Sequence, residues 1–144
     1  MNVLICCDHS VAGKHVLDEA QKFLCQIADV HLYVFSVIDI SVVSITGTYN
    51  TGEMIGILEE DAEVVNKWTK GIFTGREINF STELGYPAEM ILKKATNIQA
   101  DLLILGTHGK TGLGRLLMGS VAENVLHHAS CNTLLIPVKR LKNG

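Results

Sequence analysis

Five short strand-like runs alternate with four stretches of helical periodicity, and this alternation leaves the chain few ways to fold. The runs are Asn2 to Cys7, Val30 to Ile38, Glu77 to Leu84, Leu102 to Leu105 and Thr133 to Val138. Strands separated by helices pair in parallel through right-handed crossovers. The first, second and fourth runs are apolar enough to be covered on both faces, so they belong in the middle of a sheet. The third, Glu77-Ile-Asn-Phe-Ser-Thr-Glu-Leu84, alternates polar and apolar residues, as a strand at a sheet edge does. The fifth contains Pro137, which cannot donate to a ladder, and makes a second edge. Order 3-2-1-4-5 meets all these demands. The expected fold is therefore α/β: a single open five-stranded parallel sheet with helices on both faces, one domain over residues 1–144.

The helical stretches have their own signals. Ser10 is placed to cap a helix whose apolar positions are Val16, Leu17, Ala20, Phe23, Leu24, Ile27 and Ala28. Asp39 to Gly52, rich in Ser, Thr and Gly, reads as a mobile loop. From Glu53 to about Thr69 a helix presents Met54, Leu58, Ala62, Val65 and Trp68 on one side, with Glu59, Glu60, Glu63 and Lys67 on the other. Pro87 suits the first position of the next helix, which carries Ala88, Ile91, Leu92 and Ala95. A last helix runs from about Val121 to Ala129, and Ser120-Val-Ala-Glu123 has the form of a capping box.

Between the fourth strand and the last helix lies the segment Gly106 to Gly119. Connections in α/β units usually span about 2–6 residues. A longer loop with glycines at set places, ending at a helix N-terminus, suits phosphate, because backbone N–H groups converge there and the helix dipole favours negative charge. Strand order 3-2-1-4-5 puts its topological switch between strands one and four, where ligands bind outside the carboxyl ends. Asp8 follows strand one and Gly106 follows strand four, so loop chemistry and sheet topology meet at one crevice.

Composition narrows the partners. A net charge of −3 without a basic patch argues against nucleic acid. No apolar stretch approaches a membrane span. The chain enters Val3-Leu-Ile-Cys-Cys7 directly, without the basic region of a signal peptide, so a cytoplasmic protein is expected. The four cysteines form no C-x-x-C pair and are expected to be reduced, mostly buried and structural. His127 and His128 point about 100° apart on a helix, which disfavours a shared metal with Cys131.

Gly109-Lys-Thr111 does not make a Walker loop, because the position five before Gly109 is Ile104. Gly112-x-Gly114 does not make a dinucleotide fingerprint, because position 117 is leucine. The spacing present is Gly-x2-Gly-x9-Gly-Ser, at Gly106, Gly109, Gly119 and Ser120. With Asp8-x-Ser10, Ser36-Val-Ile-Asp39, Gly85-x-Pro87, Gly-Ser-Val-Ala-Glu-Asn124 and the final Leu-Leu-Ile-Pro-Val138, the chain resembles the ATP-binding branch of the universal stress protein family over essentially its whole length.

The resemblance implies a Rossmann-like fold of the adenine nucleotide alpha hydrolase kind, and a set of roles. The backbone at Cys6 and Val37 frames adenine, and Asp8 lies near the ribose or adenine. Gly106, His108, Gly109, Lys110 and Gly112 wrap ribose and phosphates. Gly119, Ser120 and Val121 present N–H and hydroxyl groups to phosphate. Family members often carry an apolar residue or proline where Cys6 stands, but a backbone contact does not depend on that side chain. The resemblance also implies ATP with Mg carried by the nucleotide, a homodimer and a role in stress tolerance. The apolar edge Thr133 to Val138 is the expected dimer seam. A regulatory module is expected, not a dedicated enzyme. A slow ATPase, and an interaction module that needs no nucleotide, stand as alternatives, and a flavin or another adenine-containing ligand is a lesser one. Structural readings of the same residues stay open: Ser120 as a helix cap, Asp8 as a helix-start residue, Lys110 and Arg115 as solvated charges.

Overall fold

The computed structural model describes residues 1–108 and 118–138, and of residues 44–46 the backbone alone. Its elements are β1 (Asn2–Cys7), α1 (Val11–Leu24), β2 (His31–Asp39), α2 (Ile40–Thr46), α3 (Thr51–Ile72), β3 (Ile78–Gly85), α4 (Pro87–Asn97), β4 (Leu102–Gly106), α5 (Ser120–His128) and β5 (Asn132–Ile136). The strands form one sheet of order β3-β2-β1-β4-β5, and every pairing is parallel. This is the expected topology.

Strand periodicity divides the core. Val3 and Ile5 point to one face, where they pack with Val16, Leu17, Ala20 and Leu24 of α1 and Val65 of α3. Leu4 and Cys6 point to the other, where they meet Ile91 and Ala95 of α4 and Ala122 and Val125 of α5. Val3, Leu4 and Ile5 are fully buried, as a strand covered on both faces requires.

Several local readings are corrected. The segment 39–52 is not one loop: α2 occupies Ile40–Thr46, started by Asp39, whose Oδ1 accepts from Ser41 N at 2.9 Å and Ser41 Oγ at 2.6 Å. The following helix begins earlier than Glu53 and ends later than Thr69. Asn50 caps α3, and a reciprocal bond from Glu53 completes a capping box. Helix α1 stops at Leu24, so Ile27 and Ala28 lie beyond it. Phe23, placed on its apolar face from the sequence, is 48% exposed, because the buried stripe runs Val16, Leu17, Ala20, Leu24. Strand β5 ends at Ile136, so Pro137 lies just outside it. The edge position of β5 follows from its pairing with β4 alone. Ser120 is the first residue of α5 and not its cap. Gly119 is the N-cap and no side chain caps this end, so the Ser120–Glu123 capping box does not form.

Truncating Leu103→Ala, fully buried at the centre of β4, is expected to lower unfolding free energy by about 2–5 kcal/mol. Phe23→Ser should change it by no more than about 0.5 kcal/mol. Urea unfolding of the two variants checks this, and equal losses would place Phe23 back in the core.

Candidate functional site

The topological switch point lies where the ladders of β1 and β4 run out, and a crevice is expected there. Cys6 pairs with Phe35 and Cys7 with Ser36, so Asp8 is the first residue past the sheet. Asp8 is held in a tight turn. Its Oδ1 accepts from Ser10 N at 3.0 Å and, over a very short contact, from Ser10 Oγ. Ser10 Oγ in turn accepts from Gly13 N at 3.1 Å and caps α1, as expected from the sequence. Gly13 is required here for room: a Cβ on it would collide with the carbonyl oxygen of Asp8. Asp8 is thus both a helix-start residue and a residue of the crevice.

Across the crevice, Thr107 ties three segments together. Its N–H donates to Ile136 O at 3.0 Å, its Oγ1 accepts from Val138 N at 3.1 Å, and its carbonyl accepts from Gly119 N at 2.7 Å. The last bond docks the N-terminus of α5 on the end of β4. It also occupies the N–H of Gly119, so the N–H groups at this helix start with no intrahelical partner are those of Ser120, Val121 and Ala122. Gly119 has φ −61°, an ordinary value. What it supplies is space, since a Cβ would stand 3.1 Å from Thr107 O. Gly106 is similar: a Cβ there would lie 3.0 Å from methyl groups of both Val16 and Val138. His108 Nδ1 sits 3.1 Å from Thr107 Oγ1.

Of the residues singled out from the sequence, the described ones lie toward one end of the sheet. Cys6, Val37, Met118 and Val121 share the α4/α5 face. Asp8, Gly106, His108, Gly119 and Ser120 lie at the carboxyl ends of β1 and β4 or the start of α5. Gly109, Lys110 and Gly112, and Arg115 with them, lie outside the described residues.

The sequence reading missed a second cluster. Asp61 of α3 is buried, with its side chain only 1% exposed. Its Oδ2 accepts from Ser36 Oγ at 2.7 Å and stands 3.4 Å from Thr82 Oγ1, and its Oδ1 lies 2.6 Å from His9 Nδ1. The signal was present: Asp61 is one turn before the buried Val65, on the inward stripe of a helix whose other acids face outward. Thr107, Ser36 and Thr82 carried no such signal, because a hydroxyl residue at a strand end is common.

Three cysteines have thiols pushed up from their ordinary value. Burial is the main cause at Cys6, with Cys131 adding to it. At Cys7 burial leads, followed by Cys6 and the carboxylates of Asp8 and Asp61. Burial also raises Cys131. Cys25, expected among mostly buried thiols, is exposed at the C-cap of α1. All four are free. Among the described residues no group of three or more His, Cys, Asp or Glu could hold a metal ion, and His128 Nδ1 lies 2.8 Å from its own helix's Asn124 O. Among the described residues no helix is long and apolar enough to cross a membrane.

A parallel 3-2-1-4-5 sheet with a capped turn after β1 and a helix start docked on β4 defines a doubly wound α/β protein with a switch-point crevice. The model of the universal stress protein family matches residues 1–137, and the chain belongs to that family. Universal stress protein MJ0531 of Methanocaldococcus jannaschii is 34% identical over 128 residues, covering 87% of this chain and 72% of that protein. The solved structure of hypothetical protein MJ0577 superposes with TM-score 0.81 at 26% identity, over 96% of each chain. A universal stress protein in complex with cAMP superposes with TM-score 0.65 at 21% identity, over 95% of this chain and 96% of that one.

Native protein exposed to iodoacetamide should be alkylated first at Cys25 and last at Cys6, whose thiol is buried and held protonated. Peptide mass spectrometry over time measures this, and labelling of Cys6 as fast as Cys25 would show that the crevice end of β1 is open.

Proposed function

We infer that the switch-point crevice binds an adenine nucleotide, ATP with its Mg²⁺, and that the protein acts as a homodimeric, nucleotide-dependent regulatory module in stress tolerance and not as a dedicated enzyme. The observation that carries this reading is the docking of the α5 start on the end of β4 through Gly119 N–H and Thr107 O at 2.7 Å. It ties the start of α5, with the N–H groups of Ser120, Val121 and Ala122, to the end of β4, and a helix start in that position favours phosphate through its dipole; the Ser120 hydroxyl is assigned to the same phosphate. Hydrogen bonds to a charged group contribute about 1.5–3 kcal/mol each. A few of them support micromolar affinity, on the order of −8 kcal/mol. Cys6 and Val37, which belong to the apolar α4/α5 face, are assigned to adenine through their backbone, and Asp8, just past the end of β1, is assigned to the ribose or adenine. His108, Gly109, Lys110 and Gly112 are assigned to the ribose and phosphates, and Mg²⁺ travels with the nucleotide. The cAMP complex of a family member supports an adenine-containing ligand. Half-buried Leu134 and Leu135 on edge strand β5 support a two-fold seam through Thr133–Val138. A cytoplasmic location fits this assignment.

Calorimetric titration of ATP-Mg²⁺ into ligand-free protein should give micromolar binding. Gly119→Val should abolish it, because the added branch drives into Thr107 O and displaces the helix start. Binding unchanged in the variant, or absent from the wild type, overturns the nucleotide reading. Light scattering of the same samples should return twice the chain mass, and a monomer would remove the β5 seam.

A further inference from the structure

A carboxylate in an apolar helix–sheet interface is costly unless it is paired. One turn further along the same stripe of α3, Val65 makes that packing with an aliphatic side chain, fully buried. Asp61 therefore does something a valine would not. Its three contacts come from three different segments: Ser36 of β2, Thr82 of β3, and His9 of the turn between β1 and α1. Ser36 and Thr82 are neighbours in the sheet ladder and are already fixed by it. The ladder does not hold His9. It lies between Asp8 and Ser10, whose mutual hydrogen bonds shape the crevice turn. The 2.6 Å contact joins His9 Nδ1 to Asp61 Oδ1, and a carboxylate there accepts from the imidazole N–H.

We propose that Asp61 is a positioning residue for the ligand site: through His9 it anchors the Asp8–Ser10 turn to α3, and so holds the Asp8 carboxylate in place for the nucleotide's ribose or adenine. This rests on the adenine-nucleotide reading for its effect on binding. The anchoring itself does not rest on it. Asp61 touches no ligand atom and acts through the imidazole. The pair is well sited for this, because Asp61 is enclosed while the His9 side chain is 40% exposed and would otherwise be free to leave the turn. A low-dielectric partner strengthens the contact relative to one in water. The turn is crowded as well. Gly13 packs so closely on the Asp8 carbonyl that a small shift of the turn would disturb the start of α1.

The test uses His9→Ala, His9→Asn and Asp61→Asn in the full chain, with two readouts. The asparagine at position 9 carries an amide nitrogen where Nδ1 now stands, so it keeps the contact to Asp61 while removing the ring. Hydrogen exchange of the Ser10 and Gly13 amides reports the turn directly. ATP-Mg²⁺ titration reports the consequence. In His9→Ala, both amides should exchange about tenfold faster and affinity should fall about tenfold, the loss of one good hydrogen bond. His9→Asn should restore most of both, and Asp61→Asn should reproduce part of the loss. His9→Ala is half-exposed and keeps the core intact, so it decides the matter if Asp61→Asn fails to fold. Unchanged exchange at Ser10 and Gly13 in His9→Ala overturns the proposal. So does faster exchange with full affinity, which would make the contact structural only. If the wild type takes up no ATP-Mg²⁺, the nucleotide reading falls and the anchoring stands or falls on the exchange data alone.

Discussion

β1 is hydrogen-bonded to β2 on one side and to β4 on the other, and its two faces are covered by α1 and α3 and by α4 and α5. A strand so enclosed must send every backbone polar group into its ladders and every side chain into a core. At Cys7 the enclosure ends. The two neighbouring strands send their chains to opposite faces, and no connection crosses the gap between them. The crevice is what that divergence leaves behind. The Asp8 turn and the end of β4 stand at its rim because β1 and β4 are paired, with Ile5 opposite Ile104.

Two clamps hold the rim, and they work by different physics. Thr107 uses mainly backbone groups: it joins the ends of β4 and β5 to the start of α5 through bonds of 2.7–3.1 Å. That clamp sets helix start and strand end together and puts Thr107 O only 3.1 Å from where a Cβ on Gly119 would stand. Asp61 uses charge. It ties α3, which packs on the same face of the sheet as α1, to the β1–α1 turn through His9. The first clamp belongs to the face covered by α4 and α5, the second to the face covered by α1 and α3. The crevice is therefore braced from both layers of helices.

The strand order was legible because the five runs differ in kind. An unbroken apolar run, a run that alternates, and a run closing on proline each exclude positions in a sheet. Pro137 led to the right place for an incomplete reason: it lies past the end of β5, and the edge comes from the ladder. α2 was hidden because Ser41-Val-Val-Ser-Ile-Thr46 is poor in helix formers. The helix exists because Asp39 caps it at the end of a long strand. Asn50 with Glu53 was a readable capping box. Ser120 with Glu123 was an equally readable one that does not form, since the chain reaches α5 through the Gly119–Thr107 bond and places serine one position inside the helix. Local capping patterns hold where the approach of the chain is local, and fail where a tertiary bond sets it.

The sequence by itself determined the membership of the universal stress protein family, the parallel sheet and the end of it at which Asp8, Gly106 and Gly119 collect. Those follow from periodicity and from spacing along the chain, which are one-dimensional properties. Only the tertiary structure decided that Gly119 serves by its smallness and not by its backbone angle, that its N–H is spent on Thr107, and that one acid among the several of α3 is buried against His9. Each of these depends on which atoms arrive from segments distant in sequence. Asp61 and His9 are 52 positions apart, and no local pattern records a contact over that separation.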